Sequence, residues 1–434
     1  MPNLRELFSE TGDIPWIVGL SGGKDSTAVT MHLLETLESL PPHIRKRKTC
    51  YVTCVNTLVE APPVIDHVHR FIEELRNYAR DRELPVKVVE LVPEVEQTFW
   101  VNLIGRGYPT PVREFRWCTD RMKIRPQTQF IQENLEIFGD PPIVHFLLGT
   151  RFDESKSRQK TMEDHTRLGT DIHSHGTMPS AGVIRPIENW STDDVWDYLL
   201  KEDWAGDVKN PFYEINQDLA ILYKDAASGE CPVIHDPSKQ TCAGSRFGCW
   251  TCTVVDVDSS LREIIGSDRD RYDSENLVQL ADFRDQLKEE RNISTNRVQG
   301  RNRRGTVLVK RDGSVGVGSY TLEYRGKLLD RLKNLQENVG DILITDEPTG
   351  NLDYESGQEL MKLLADLNQK TNKTFLMVTH DLEYIKFAKT AVEMFDGQLK
   401  QVYQEKDKSK LLKSLPTKRG QYIQQAKQVG NKND

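Results

Sequence analysis

Two stretches of the chain gather residue types that do chemistry. The first is Ser21-Gly22-Gly23-Lys24-Asp25-Ser26. Adjacent glycines let the backbone approach an anion and take positive φ where a tight turn needs it. Lys24 adds a point charge, Ser21 and Ser26 add hydroxyl donors, and Asp25 adds an oxygen ligand for a hard cation. The set suits a phosphate group. The second is Cys231, Cys242, Cys249 and Cys252, spaced C-x10-C-x6-C-x2-C. Four thiolates on one loop can close a tetrahedral zinc site or hold an iron–sulfur cluster. Gly244 and Gly248 would let the loop wrap the metal, and Phe247 and Trp250 would shield it. Ligand type alone does not choose between the two.

The surrounding elements would aim the first stretch. Ile14 to Leu20 is a short apolar run that reads as a buried strand, and Ala28, Val29, Met31, Leu33, Leu34 and Leu37 then recur at helical spacing. A glycine turn between strand and helix collects backbone N–H groups and the positive end of a helix dipole at one point. The alternation continues with strands at 48–55, 86–91 and 143–148 and helices at 63–82 and 125–138. Ser191 caps a further helix that runs to Leu200. This rhythm predicts an α/β fold with a doubly wound parallel sheet and ligands at the carboxyl ends of its strands. The expected organisation is that domain over 1–200, a cysteine-bearing, helical and basic region over 201–339, and a separate α/β segment over 340–434.

Hydrophobic residues make up 37% and charged residues 29% of the 434, which places the chain among globular proteins. No apolar run approaches the ~20 residues of a membrane span, and Met1 to Glu6 carry no signal-peptide core. A cytoplasmic protein with no membrane partner is expected. A net charge of -8 means that any nucleic-acid contact must use a local basic patch. Seven cysteines in such a chain argue for metal or redox chemistry where they cluster.

Further candidates line the expected ligand edge. Asn56 to Pro62 follow the second strand, and Thr98 to Pro109 are rich in aromatics and glycine. Arg116, Arg121, Lys123 and Arg125 put four cations within ten residues, which suits an oxyanion or a triphosphate, or equally a solvated basic helix face. Cys118 reads as a small buried hydrophobe or, in an accessible electropositive setting, a sulfur carrier. Arg151, Asp153 and Glu154 follow a strand end; Asp153 or Asp25 could hold Mg²⁺, and plain loop carboxylates are the alternative. His165, His173 and His175 read as a surface loop.

The six-residue turn resembles the S-G-G-K-D-S loop of the PP-loop ATP pyrophosphatases and lacks the Walker A spacing. Trp117-Cys118-Thr119 with Lys123, Arg185-Pro186-Ile187 and Asp194-Val195-Trp196 are similar to the sulfate-adenylylating and phosphoadenylylsulfate-reductase branch of that family. Asn56 to Pro62, Thr98 to Pro109 and Phe115 to Arg121 together resemble a narrower group, the DndC-type component of bacterial DNA phosphorothioation. The resemblance runs from about residue 10 to about 338. It implies an ATP pyrophosphatase and sulfurtransferase that adenylylates a DNA backbone phosphate so that sulfur can replace a non-bridging oxygen. On this reading Ser21, Gly22, Gly23, Lys24, Asp25, Ser26 and Arg151 hold ATP, and Lys24, Asp25, Arg116, Lys123 and Asp153 act in catalysis. The implied cofactors are ATP, Mg²⁺ and a 4Fe–4S cluster on the four cysteines, with zinc as the alternative. The implied partners are DNA, a cysteine desulfurase as sulfur donor and other proteins of the phosphorothioation system.

Two other readings stay open. One is a phosphoadenylylsulfate or adenylylsulfate reductase, which would need a C-terminal E-C-G-I-H or E-C-G-L-H string. The nearest here is Glu230-Cys231-Pro232-Val233-Ile234-His235, and the usual adjacent cysteine pair is missing. The other is a non-catalytic ATP- and DNA-binding component. Arg297, Arg301, Arg303, Arg304, Lys310 and Arg311 form a basic arm that could touch DNA or simply be solvated. Beyond about residue 340 the chain changes character. Ile342 to Asp353 resemble the Walker B and D-loop of ABC ATPases, and Val378-Thr379-His380-Asp381 their switch histidine. Neither a Walker A loop nor an L-S-G-G-Q signature accompanies them, so the tail reads as an ABC-like βαβαβ fragment without ATPase activity of its own.

Overall fold

Side-chain alternation in the first two strands decides the architecture. In the computed structural model, Trp16, Val18 and Leu20 of β1 (Trp16–Leu20) pack with Cys50, Val52 and Cys54 of β2 (Cys50–Val55) in one core, while Ile17 and Tyr51 pack in another. Period-2 strands with both faces apolar must be covered on both sides, and parallel sheets are built that way. The structure describes residues 3–113, 115–154, 162, 170–174, 180–204, 209–226, 248–267, 271–300, 316–339, 342–346, 358, 360–362, 364–365, 374–379, 382–395 and 398–404.

The strands are completed by β3 (Val86–Leu91), β4 (His145–Leu147), β5 (His173–Ser174) and β6 (Gly182–Ile184). They pair in the order β3-β2-β1-β4-β6-β5, all parallel except the two-residue β5, which runs antiparallel to β6. The expected doubly wound sheet is therefore present. β1 is where the strand order reverses, with Val18 opposite Val52 on one side and Leu147 on the other. The crevice beyond its carboxyl end is the position at which such sheets hold ligands.

Helix α1 (Leu4–Glu10), helix α2 (Lys24–Ser39) and the helix Pro62–Asp81 bury their apolar residues in the first core. Ala28, Val29, Met31, Leu33, Leu34 and Leu37 of α2 are all fully enclosed, as helical spacing predicts. Thr30 and Thr36 are buried too, because their hydroxyls donate to the carbonyls of Ser26 and His32, both at 2.8 Å. The second core is closed by residues 125–138. One helix was expected there, but it breaks into Arg125–Gln132 and Leu135–Phe138. The Asn134 amide donates to the Phe130 carbonyl at 2.7 Å and competes with the helical ladder at the break. The helix Thr192–Leu199 carries the expected Ser191 cap as a reciprocal capping box with Asp194.

Two compact units result, residues 1–331 and 332–434. In the first, the helices Tyr213–Asp225, Ser259–Gly266 and Ser274–Glu289 follow the sheet domain. Arg297 lies at the start of a short strand Arg297–Gln299 and is 8% exposed, donating to the carbonyls of Gly318 and Arg291. It is thus a packing residue and not part of a solvent-facing arm; Arg301, Arg303, Arg304, Lys310 and Arg311 lie outside the described residues. In the second unit, Ile342–Asp346 pairs parallel with Thr374–Val378, and Thr390–Phe395 pairs antiparallel with Gln398–Gln404. The expected third parallel strand is absent among the described residues, and His380 and Asp381 fall outside them. No helix of the described residues is long and apolar enough to cross a membrane.

Candidate functional site

The turn after β1 is built as its residues dictate. Gly22 takes φ +77, a left-handed conformation that favours glycine, and an added Cβ would meet Val68 Cγ2 at 2.2 Å. Gly23 is the N-cap of α2, in extended conformation, with no side chain to cap the helix. Hydroxyls brace the turn from within. Ser26 donates to the Gly23 carbonyl at 2.9 Å and accepts the Ser21 N–H at 3.1 Å. Its single proton is then spent, so in the 3.0 Å contact between the two serines Ser21 is the donor. Thr27 adds a bond to the same Gly23 carbonyl at 3.1 Å.

Three residues from distant parts of the chain complete the turn. Tyr223 accepts the Lys24 N–H at 3.3 Å and sets its ring 5.4 Å from the Lys24 ammonium. Arg151, 2% exposed, donates from Nε to Asp25 Oδ1 at 2.7 Å and from Nη1 to the Trp190 carbonyl at 3.0 Å. Gly149 lets the loop after β4 lie against the start of α2: an added Cβ would stand 2.8 Å from the Asp25 carbonyl atoms. Lys24 Nζ holds the other Asp25 oxygen at 3.1 Å. Both Asp25 oxygens are therefore engaged by cations. Of the two carboxylates considered for Mg²⁺, Asp153 is the one with an open oxygen shell, being 62% exposed and only 3.7 Å from Arg151.

The cysteines meet the same edge of the sheet. Cys249 forms an isolated antiparallel bridge with Glu60, and Trp250 donates its N–H to the Val59 carbonyl at 3.0 Å, in the loop that follows β2. Thr57 Oγ1 lies 3.4 Å from Cys249 Sγ and 2.5 Å from Glu60 Oε1. The Cys252 N–H donates to the Cys249 carbonyl at 3.0 Å, which closes a tight turn. Cys118 joins them: its thiol is pushed up by burial and then by Cys252, and Cys249 is raised chiefly by burial with Cys118 a smaller contributor. Spacing alone could not pair Cys118 with residues more than a hundred positions later; the W-C-T string was the available signal. A half-buried thiol with a raised pKa is a poor free nucleophile, which disfavours Cys118 as a bare sulfur carrier.

Trp250, one of the two aromatics expected beside the cysteines, is 8% exposed. Trp250 packs on Trp100 at 5.8 Å and on Phe283 at 6.1 Å. Arg284, 1% exposed, grips the chain after Cys252 through the carbonyls of Cys252, Val255 and Asp256. Cys231, Cys242 and Phe247 lie outside the described residues. Among the described residues, no group of three or more His, Cys, Asp or Glu side chains is spaced to hold a metal ion.

The basic segment 116–125 divides by function. Arg125 pairs with Asp120 at 2.9 Å, and Arg121 is held by Gln97 and the Tyr108 hydroxyl. Arg116 and Lys123 have no carboxylate within ion-pair distance among the described residues. They are the two cations available to an anion.

The family described as the phosphoadenosine phosphosulfate reductase domain matches residues 15–255, more than half of the 434. An uncharacterised protein of Methanocaldococcus jannaschii is 30% identical over 191 residues, 43% of this chain and 32% of that protein, so the chain spans about a third of that relative's length. A second kind of match is short. The macrolide export ATP-binding/permease protein MacB of Escherichia coli is 45% identical over 62 residues, 14% of this chain and 9% of that protein. An ABC transporter H family member of Dictyostelium discoideum is 40% identical over 73 residues, 17% of this chain and 14% of that protein. Among solved structures, the phosphoadenylyl-sulfate reductase of Candida auris in a phosphate complex aligns with a TM-score of 0.29 and 14% identity, covering 46% of this chain and 77% of that one.

Proposed function

The chain belongs to the phosphoadenosine phosphosulfate reductase domain family over residues 15–255, and from that premise we propose that it is an ATP pyrophosphatase and sulfurtransferase acting on DNA. Membership supports a nucleotide-using enzyme of sulfur chemistry; the ATP-to-AMP reaction and the DNA substrate are our reading. The observation that carries it is the placement of the Ser21–Ser26 turn at the point where the strand order reverses.

In this reading ATP lies with its phosphates over the Ser21–Ser26 turn. Lys24 turns from Asp25 toward the phosphates, and Arg151 keeps Asp25 in place. A DNA phosphate oxygen, oriented by Arg116 and Lys123, attacks the α-phosphorus. The bond to the β-phosphate breaks, pyrophosphate leaves, and a DNA–AMP mixed anhydride remains. The persulfide sulfur of a cysteine desulfurase then attacks the DNA phosphorus and displaces AMP. A second thiol cleaves the resulting phosphorus-bound disulfide, leaving the phosphorothioate and a protein disulfide that an external thiol reduces. Mg²⁺, for which Asp153 is the fitting ligand, would offset charge on the leaving pyrophosphate. A 4Fe–4S cluster would supply a structural or electron-handling centre. On this reading Cys231, Cys242, Cys249 and Cys252 would hold it, and of these Cys249 and Cys252 are the two within the described residues. The tail beyond residue 340 is read as an ABC-like fragment, an idea supported by the short matches to transporter ATPases.

The test is an anaerobic preparation assayed for AMP and pyrophosphate with and without DNA. Pyrophosphate release that needs DNA and is lost in Lys24→Ala supports the proposal; ADP as sole product refutes it. The family match also favours a second reading, a phosphoadenylylsulfate reductase. Release of sulfite from phosphoadenylylsulfate supplied with a dithiol reductant, with no dependence on DNA, would select it.

A further inference from the structure

We propose that Phe115 is a stacking platform for an unpaired base of the DNA substrate, with Arg113 and Arg116 holding the neighbouring phosphates. This rests on the DNA reading above and names the form of DNA that fits. The platform is the outer end of a column of rings. Phe99, 2% exposed, stacks on Trp117 at 5.5 Å with planes 23° apart. Trp117 stacks on Tyr108 at 5.6 Å and 25°, and Tyr108 meets Phe115 at 6.2 Å. Burial falls along the column, and it ends in Phe115, 44% exposed.

The last ring is held by its backbone. Val112 and Phe115 exchange N–H···O bonds at 3.4 and 3.0 Å. Inside the column, the Trp117 indole N–H donates to the Pro109 carbonyl at 2.9 Å, and the Arg121 guanidinium lies 5.3 Å from the Tyr108 ring centroid. A fixed, solvent-facing aromatic loses little entropy when it takes a partner.

Charge selects the partner. Arg113 and Arg116 lie two residues before and one after Phe115, both are exposed, and neither has a carboxylate within ion-pair distance among the described residues, from which Glu114 is left out. Lys123, also without such a partner, lies on the next turn of chain, beside Cys249. An apolar peptide would leave these cations unanswered. A single strand satisfies both halves, since its phosphates meet the arginines while a base covers the ring. A paired base has both faces stacked within the duplex, so the platform calls for a single-stranded or extruded nucleotide. Lys123 then extends the cationic path to the sheet edge that carries Cys249.

The experiment measures binding of a short labelled deoxyoligonucleotide by anisotropy, with its duplex and an abasic strand of equal length. Wild type should prefer the base-bearing single strand. Phe115→Ala should weaken that binding roughly tenfold, leave the abasic strand unaffected, and leave the thermal midpoint unchanged because the ring is exposed. Phe115→Trp should restore binding. If wild type binds DNA and Phe115→Ala binds every form equally well, the platform is overturned while the DNA reading stands. Preference for duplex over single strand also overturns it. If wild type binds none of the three, the DNA reading falls and the platform with it.

Discussion

Gly22→Ala tests how the phosphate turn is held. At φ +77 an alanine pays the left-handed penalty of about 1–2 kcal/mol. Its Cβ would also sit 2.2 Å from Val68 Cγ2. Val68 lies in the middle of the helix Pro62–Asp81 and is 4% exposed, so it has little room to turn. A valine in a helix strongly prefers one rotamer, and forcing it off costs about 0.5–1.5 kcal/mol. Gly22→Ala should therefore destabilise the protein by about 1.5–3.5 kcal/mol, the sum of the two contributions. Denaturant unfolding of wild type, Gly22→Ala, Val68→Ala and the double variant closes a cycle. In the double variant the steric part disappears and the backbone part stays, so it should be about 1 kcal/mol more stable than the sum of the single losses. Additivity within about 0.5 kcal/mol would refute the steric contact. A Gly22→Ala protein as stable as wild type would refute the positive φ as well.

Asp25→Asn should cost about 3–5 kcal/mol, because it leaves the Arg151 guanidinium, 2% exposed, without the charge at 2.7 Å that offsets its burial. Unfolding experiments read this directly, and a loss below about 1 kcal/mol would mean that Asp25 does not anchor Arg151. Stability should also fall in mild acid. Burial pushes His67 down to about 4, and neither ring nitrogen has a hydrogen-bond partner among the described residues. The unfolded chain takes up this proton near the ordinary pKa of about 6.5 and the folded chain only near 4. Stability is therefore complete above about 6.5 and is lost as pH falls through that window, by roughly 3 kcal/mol for this one group. His67→Leu should flatten the pH slope of unfolding free energy there by one proton; an unchanged slope would assign the acid sensitivity elsewhere.

Much of the positioning frame could be read from local pattern. The β1–turn–α2 unit follows from contiguous residues: an apolar run, two glycines, then helical spacing that places Ala28 to Leu37 inward. The parallel sheet follows from strands apolar on both faces. The break at Asn134 was missed because its cause is one side-chain amide competing with the backbone, which apolar spacing does not register. The burial of Arg297 escapes local pattern for a similar reason. A basic residue in a glycine- and asparagine-containing stretch looks solvated, and only the hairpin with Val317–Tyr320 turns it toward the carbonyls of Gly318 and Arg291.

The amino-acid order by itself determined which residues could hold phosphate and which thiols could bind metal, because those capacities belong to residue types and short spacings. Only the folded chain decided their company. Tyr223 reaches the Lys24 N–H across 199 positions, and Arg151 reaches Asp25 across 126. Cys118 comes to the C-x2-C pair from more than a hundred residues away. These meetings depend on how helices and loops pack on the sheet. Packing sums many weak contacts from the whole molecule, and no short stretch of sequence contains that sum.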